Sequence, residues 1–170
     1  KGKTPPVKTG PPVKTGPPVK TGPLYENNFE KAPVGKIPQD FLILIGFFKV
    51  VKDGDNSVLE LPGEPLESFG LLFGPTESAG IAVQARITGA SKGRRYPTFG
   101  VGLNGVTGYK LRVAPGKSGL ELAKDDEVQV TVPYSWKSGS WTHFRLQVTK
   151  TKSGRWSVEG KAWEEGTGEP

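Results

Sequence analysis

The sequence contains no cysteine, no methionine and a single histidine. Without cysteine there can be no disulfide, no Cys-ligated zinc and no thiol nucleophile, so the fold must live on packing alone. One histidine leaves a serine–histidine–acid triad only His143 as its base, and no GxSxG-type nucleophile site accompanies it. Long apolar runs are missing too. The longest, FLILIGFF at 41–48, falls well short of the ~20 residues that a membrane-spanning helix needs. It reads as a buried strand or as a strand meeting a partner. No phosphate-loop pattern occurs either: neither SKGRRYP (91–97) nor GLNG (102–105) is followed by Lys-Ser/Thr at the required spacing. Both segments read as hairpin loops. A chain that begins at Lys1 and lacks Met is expected to be a processed or excised segment.

What the sequence does have is glycine and proline, 24 and 16 of them, placed between short runs rich in Val and aromatic residues. That suits an all-β fold, and no twelve-residue window carries a helical stripe. The net charge of +6 is unevenly spread. Lys1, Lys3, Lys8, Lys14 and Lys20 give residues 1–23 a charge of +5 without any acid, so only +1 remains for everything after. The globular part is nearly neutral, which argues against specific nucleic-acid binding.

Residues 5–22 are three copies of PPVKTG. Paired prolines fix φ and remove backbone donors, so this stretch favours an extended polyproline II conformation. It divides the chain into a 1–23 tail and a 24–170 domain. The tail is expected to act as a solubilising linker, or as a tether that offers Lys8, Lys14 and Lys20 to a partner.

From Leu24 onward, apolar runs alternate with Gly, Pro, Asn and Asp punctuation. Ten strands are predicted: 41–51, 57–61, 69–73, 80–88, 98–103, 109–113, 120–123, 128–132, 141–149 and 155–163. Strands this short and this evenly spaced point to an antiparallel two-sheet sandwich of jelly-roll type. Period-two alternation assigns Ile81, Val83, Ala85 and Ile87 to one face and Gln84 and Arg86 to the other. Likewise Phe99, Val101 and Leu103 face inward, as do Tyr109, Leu111 and Val113, while Lys110 and Arg112 face out. For the last two strands, KTKSG has the length of a hairpin loop. Pairing Thr149 with Arg155 sets Trp141 opposite Trp163, His143 opposite Lys161 and Arg145 opposite Glu159. Phe144, Leu146 and Val148 then fall on the core side with Val158 and Trp156. Trp136 is expected in the preceding loop.

Three segments carry a resemblance: YENNFEKAPVGKIP at 25–38, VVKDGDNSVLEL at 50–61, and the ending VPYSWKSGSWTHFRLQV followed by WSVEGKAWEEGTGEP. Together they resemble concanavalin-A-like, laminin-G-like jelly-roll modules of multidomain bacterial proteins. They are similar in particular to those that accompany pyrroloquinoline-quinone-type β-propellers in planctomycete-like bacteria. The resemblance implies a secreted, periplasmic or cell-envelope setting and glycans as one ligand class. Such modules usually continue through another Trp and a closing strand, and usually carry a Trp near Phe41; this sequence departs from both patterns.

The polar sheet face supplies the candidate ligand site: Trp141, Trp163, His143 and Arg145, joined by Lys110, Arg112, Gln84 and Arg86 if the sheet order allows. Flat aromatics beside hydrogen-bonding groups grip sugar rings or peptides, although Trp141 and Trp163 can equally cap a sheet edge. Asp53 and Asp55 in DGDN carry oxygen ligands suited to calcium, yet turn chemistry accounts for them without a metal. Glu164–Glu165 and Asp125–Asp126 are adjacent in sequence, so their carboxylates should point apart rather than converge for glycosidic acid/base work. The expectation is a non-catalytic binding or assembly module whose partner is a protein or a glycan. A glycan-active hydrolase is the enzymatic alternative.

Overall fold

The computed structural model describes residues 22–63, 68–78 and 80–170. The Pro/Lys repeats, with Lys8, Lys14 and Lys20, lie outside the described residues. Within them the chain is all-β. Strands β1 (Leu42–Ile45) and β4 (Gly70–Leu72) form one antiparallel pair, and β2 (Lys49–Asp53) and β3 (Asn56–Glu60) form another. The remaining strands make two larger antiparallel sheets. One has the order β11–β10–β5, from β5 (Ile81–Thr88), β10 (Trp141–Lys150) and β11 (Trp156–Glu164). The other has the order β6–β7–β8–β9, from β6 (Phe99–Gly102), β7 (Tyr109–Ala114), β8 (Gly119–Lys124) and β9 (Glu127–Pro133). No helix among the described residues is long and apolar enough to cross a membrane.

These two sheets pack as a β-sandwich through the rows that alternation assigned to the core. Phe144 and Leu146 of β10 are fully enclosed and meet Phe99, Leu111, Val113 and Leu120 of the four-stranded sheet. The Phe99 ring meets Phe144 edge-on at 5.8 Å and Trp136 at 5.9 Å. Along β5 the predicted alternation holds residue by residue, with Ile81, Val83, Ala85 and Ile87 half-buried and Gln84 and Arg86 exposed. The sheets approach so closely at Gly160 of β11 that an added Cβ would lie 2.7 Å from Leu111 Cδ1 of β7. That contact sets β11 above β7.

Four sequence expectations are corrected. The predicted strand 41–51 is broken at Gly46, whose φ of 106° interrupts the extended backbone and separates β1 from β2. Its apolar residues are not buried: Leu42, Leu44, Ile45 and Phe47 are exposed, Phe47 to 84%. Only Val50 of that run is enclosed, held by hydrogen bonds to Gly35 and Lys36. SKGRRYP is not a hairpin loop between paired strands, because β5 and β6 belong to different sheets. It crosses between them and carries its own tight turn, Lys92 to Arg95, with Gly93 at φ 63°.

The fourth correction concerns the last hairpin. Thr149 pairs with Ser157 rather than Arg155, so Arg145 faces Lys161 and His143 faces Trp163. The strands run on to a Lys150–Trp156 pair. Beyond it Thr151 N–H bonds the Arg155 carbonyl, and Gly154 at φ 80° closes a tighter loop than KTKSG suggests. A two-residue shift leaves every side chain on its expected face, since only an odd slip exchanges faces. It does move Trp156 to the strand end, where it is 52% exposed instead of in the core.

Candidate functional site

Sheet alternation brings six of the eight candidate ligand residues to the outer face of β5–β10–β11. Trp141, His143 and Arg145 follow one another along β10, with Arg86 opposite His143 and Gln84 opposite Arg145 on β5, and Trp163 opposite His143 on β11. Lys110 and Arg112 do not join them. They lie on β7 in the other sheet, on the side away from the core that Leu111 and Val113 occupy. There Lys110 Nζ sits 2.6 Å from Asp126, and Arg112 Nε 2.8 Å from Glu121.

The two tryptophans do not form the adjacent pair expected from sequence. Each has a partner of its own. The imidazole of His143 stacks on Trp163 with centroids 5.2 Å apart and planes 9° from parallel. Arg86 places its guanidinium 4.7 Å above the Trp141 ring. Ring stacking and cation–π contacts of this kind fix a ring's orientation on a sheet, so both half-buried indoles are braced.

The residues that complete the face come from the segment after β11, where sequence reasoning weighed Glu165 only as half of an adjacent acid pair and did not single out Glu169. After β11 the chain turns back across the sheet, and its acids meet the cations on it. Glu165 bonds Arg86 at 2.7 Å. Glu169 lies between two cations, 3.2 Å from Lys161 Nζ and 3.5 Å from Arg145 Nη1. Arg145 also donates to Gln147 Oε1 at 3.1 Å. Beside Arg145 the face sinks into a hollow of about 450 Å³, with Gly80 and Ala82 on one side and Gln147, Thr149 and Lys150 on the other. The signal was legible as charge pattern: EEGTGEP follows a strand pair that exposes Arg145 and Lys161.

Neither family models, nor curated proteins, nor solved structures give a match to this chain. Its chemistry is therefore argued from the residues themselves.

The other candidates sort out by geometry. Asp53 pairs with Asn56 across a two-residue hairpin turn formed by Gly54, at φ 60°, and Asp55. No group of three His, Cys, Asp or Glu residues suited to a metal occurs among the described residues. Nearby, Glu30 takes the Ser57 N–H, the Ser57 hydroxyl and Lys52, and the Ser57 backbone bond above all holds its carboxyl below the usual range. The adjacent acids do point apart: Glu164 turns to Lys137, 2.9 Å away, while Glu165 turns to Arg86. Lys137 is also the main reason that Glu164 titrates below an ordinary glutamate.

The sandwich is uneven at its other side. Three strands face four, and β11, the edge of the smaller sheet, reaches only as far as β7. On β9 the side chains of Val130 and Val132, opposite Leu122 and Leu120, face the interior side. They are nonetheless 52% and 45% exposed. A bulge between Leu122 and Ala123 turns Val128 to the other face.

Proposed function

We propose that this chain is a non-catalytic assembly module that accepts a β-strand from a protein partner along the free edge of β11. The observation that carries the reading is the exposure of Val130 and Val132 on the inner face of β9. A fourth strand added beside β11 lies above β8 and β9 and covers this valine row, closing the sandwich as a complete jelly roll. Strand addition supplies main-chain hydrogen bonds for affinity and side-chain pockets for specificity, and uncovered apolar surface marks such contacts. The exposed Leu42, Leu44, Ile45 and Phe47 fit an assembly role as well. The secreted or cell-envelope setting implied by the sequence resemblance, and the Pro/Lys tail as tether, belong to the same reading.

The test uses hydrogen exchange and an apolar fluorescent dye on the whole chain. Rapid exchange along the outer edge of β11, with dye fluorescence that Val130→Asp lowers and the exposed 42–47 run retains in part, is the expected result. A protected β11 edge and dye fluorescence that Val130→Asp leaves unchanged mean that the chain covers its own edge, and the reading falls.

A second reading, ligand binding on the polar face of β5–β10–β11, is favoured by a specific arrangement: cations, braced indoles and a hollow on one surface. In this reading the module is lectin-like.

A further inference from the structure

The polar face holds an internal carboxylate where a ligand carboxylate would sit. Glu169 has crossed from the segment after β11 to lie between Arg145 and Lys161, two cations that face each other across β10 and β11. Side by side, these cations repel one another unless anions offset them, and Glu169 shares Lys161 with Glu159, 3.7 Å away, while it alone reaches both cations. The anion is held loosely, because its partners are 39% and 29% exposed and no backbone donor takes part. Exposed pairs of this kind are weak and salt-sensitive, and so are readily exchanged for another carboxylate.

What surrounds the pair defines the rest of the ligand. The hollow beside Arg145 has small residues, Gly80 and Ala82, on one side, and two neutral hydrogen-bonding groups, Gln147 and Thr149, with a third cation, Lys150, on the other. Hydroxyl groups match Gln147 and Thr149, and an open hollow of this kind suits one unit of a longer chain lying along the sheet rather than an enclosed small molecule. Across the middle of the face an extended acidic peptide finds no backbone partner, since β10 is hydrogen-bonded to both β5 and β11; only the outer edges of β5 and β11 offer one, and poly-glutamate tests that alternative.

We infer that this face binds a carboxylate-bearing sugar chain, and that Glu169 and Glu165 occupy its cations in cis until the ligand displaces them. The inference rests on the second reading above and adds to it the ligand's charge and a self-occupying strap. Arg145 and Lys161 receive the uronate carboxylate that replaces Glu169. Gln147 and Thr149 receive hydroxyls, and Arg86 is freed when Glu165 leaves.

The experiment measures binding of the full chain to polygalacturonate at low salt, with neutral dextran and poly-glutamate as comparison polymers and melting curves to check each fold. The Glu165→Gln/Glu169→Gln variant is expected to bind polygalacturonate about tenfold tighter than the wild type, the scale that releasing a few exposed ion pairs allows. The Arg145→Gln/Lys161→Gln variant, folded, is expected to lose at least about tenfold. No gain in the strap variant overturns the cis-occupancy. Equal binding of dextran overturns the acidic class while leaving the face a ligand site. Equal binding of poly-glutamate overturns the sugar assignment, and no binding by any variant to any polymer overturns the inference together with the reading beneath it.

Discussion

Glu121 and Arg112 face each other across β8 and β7, with the carboxylate only 2% exposed and its Oε2 2.8 Å from Arg112 Nε. Lys117 closes the other oxygen at 3.0 Å. Burial alone raises a carboxyl, but here the bonds from Lys117 and Arg112 outweigh it and hold Glu121 below the ordinary glutamate range. A group whose folded pKa is depressed stabilises the protein above its unfolded value, about 4.3, and loses that contribution as pH falls through the folded value. Glu121→Gln is therefore expected to destabilise at neutral pH by about 1–3 kcal/mol, because Arg112 loses its charged partner. The loss shrinks on acidification below pH ~4 as the wild-type carboxyl protonates. Urea denaturation of both proteins at pH 7 and in acid measures this, and a pH-independent difference contradicts it.

Two glycines lie against Leu111 in different ways. At Gly160 a Cβ meets the flexible end of Leu111, which can rotate away, whereas at Gly100 it would run into the Leu111 carbonyl across β6 and β7. Gly160→Ala should cost about 1–3 kcal/mol as overpacking. Gly100→Ala should cost more, since a paired backbone cannot move without breaking the ladder. Equal denaturation midpoints for the two variants would show that β6 yields as easily as a leucine side chain.

Trp136 is the reverse case, a large residue that fits in area and fails in bonding. It packs on Phe99, yet its buried Nε1–H finds no acceptor among the described residues. Trp136→Phe removes this donor and is expected to change stability by less than about 1.5 kcal/mol, the lost ring area offset by the donor's removal. Trp136→Ala leaves a cavity and should cost about 3–5 kcal/mol. Thermal melts of the two variants give the comparison.

The β5 row and the Phe99 and Leu111 rows were legible because one buried face imposes period two on the sequence. The 41–51 run was not: an aliphatic stretch reads as buried by composition, and nothing local tells that Gly46 adopts a positive φ and leaves Phe47 in solvent. Sheet membership was equally hidden. Arg112 and Arg86 look alike in sequence, on strands with the same alternation, and only pairing order puts them in different sheets. A tight connection between β7 and β8 did hold a clue, since it sets Arg112 opposite Glu121. The strap was missed because Glu165 and Glu169 lie beyond the last strand, where period-two reasoning stops.

The final hairpin gives the sharpest test of register. Counting KTKSG as the whole loop sets His143 against Lys161, whereas the structure shifts β11 by two residues and sets His143 against Trp163, stacked at 5.2 Å. Directly opposed aromatic rings couple by about 0.5–1.5 kcal/mol, more than their burial alone provides. A double-mutant cycle on His143→Ala and Trp163→Ala should return a coupling of that size. The cycle on His143→Ala and Lys161→Ala, a diagonal pair, should return near zero. If the couplings are exchanged, the hairpin sits two residues back, Lys161 leaves Arg145, and the cation pair that holds Glu169 disperses.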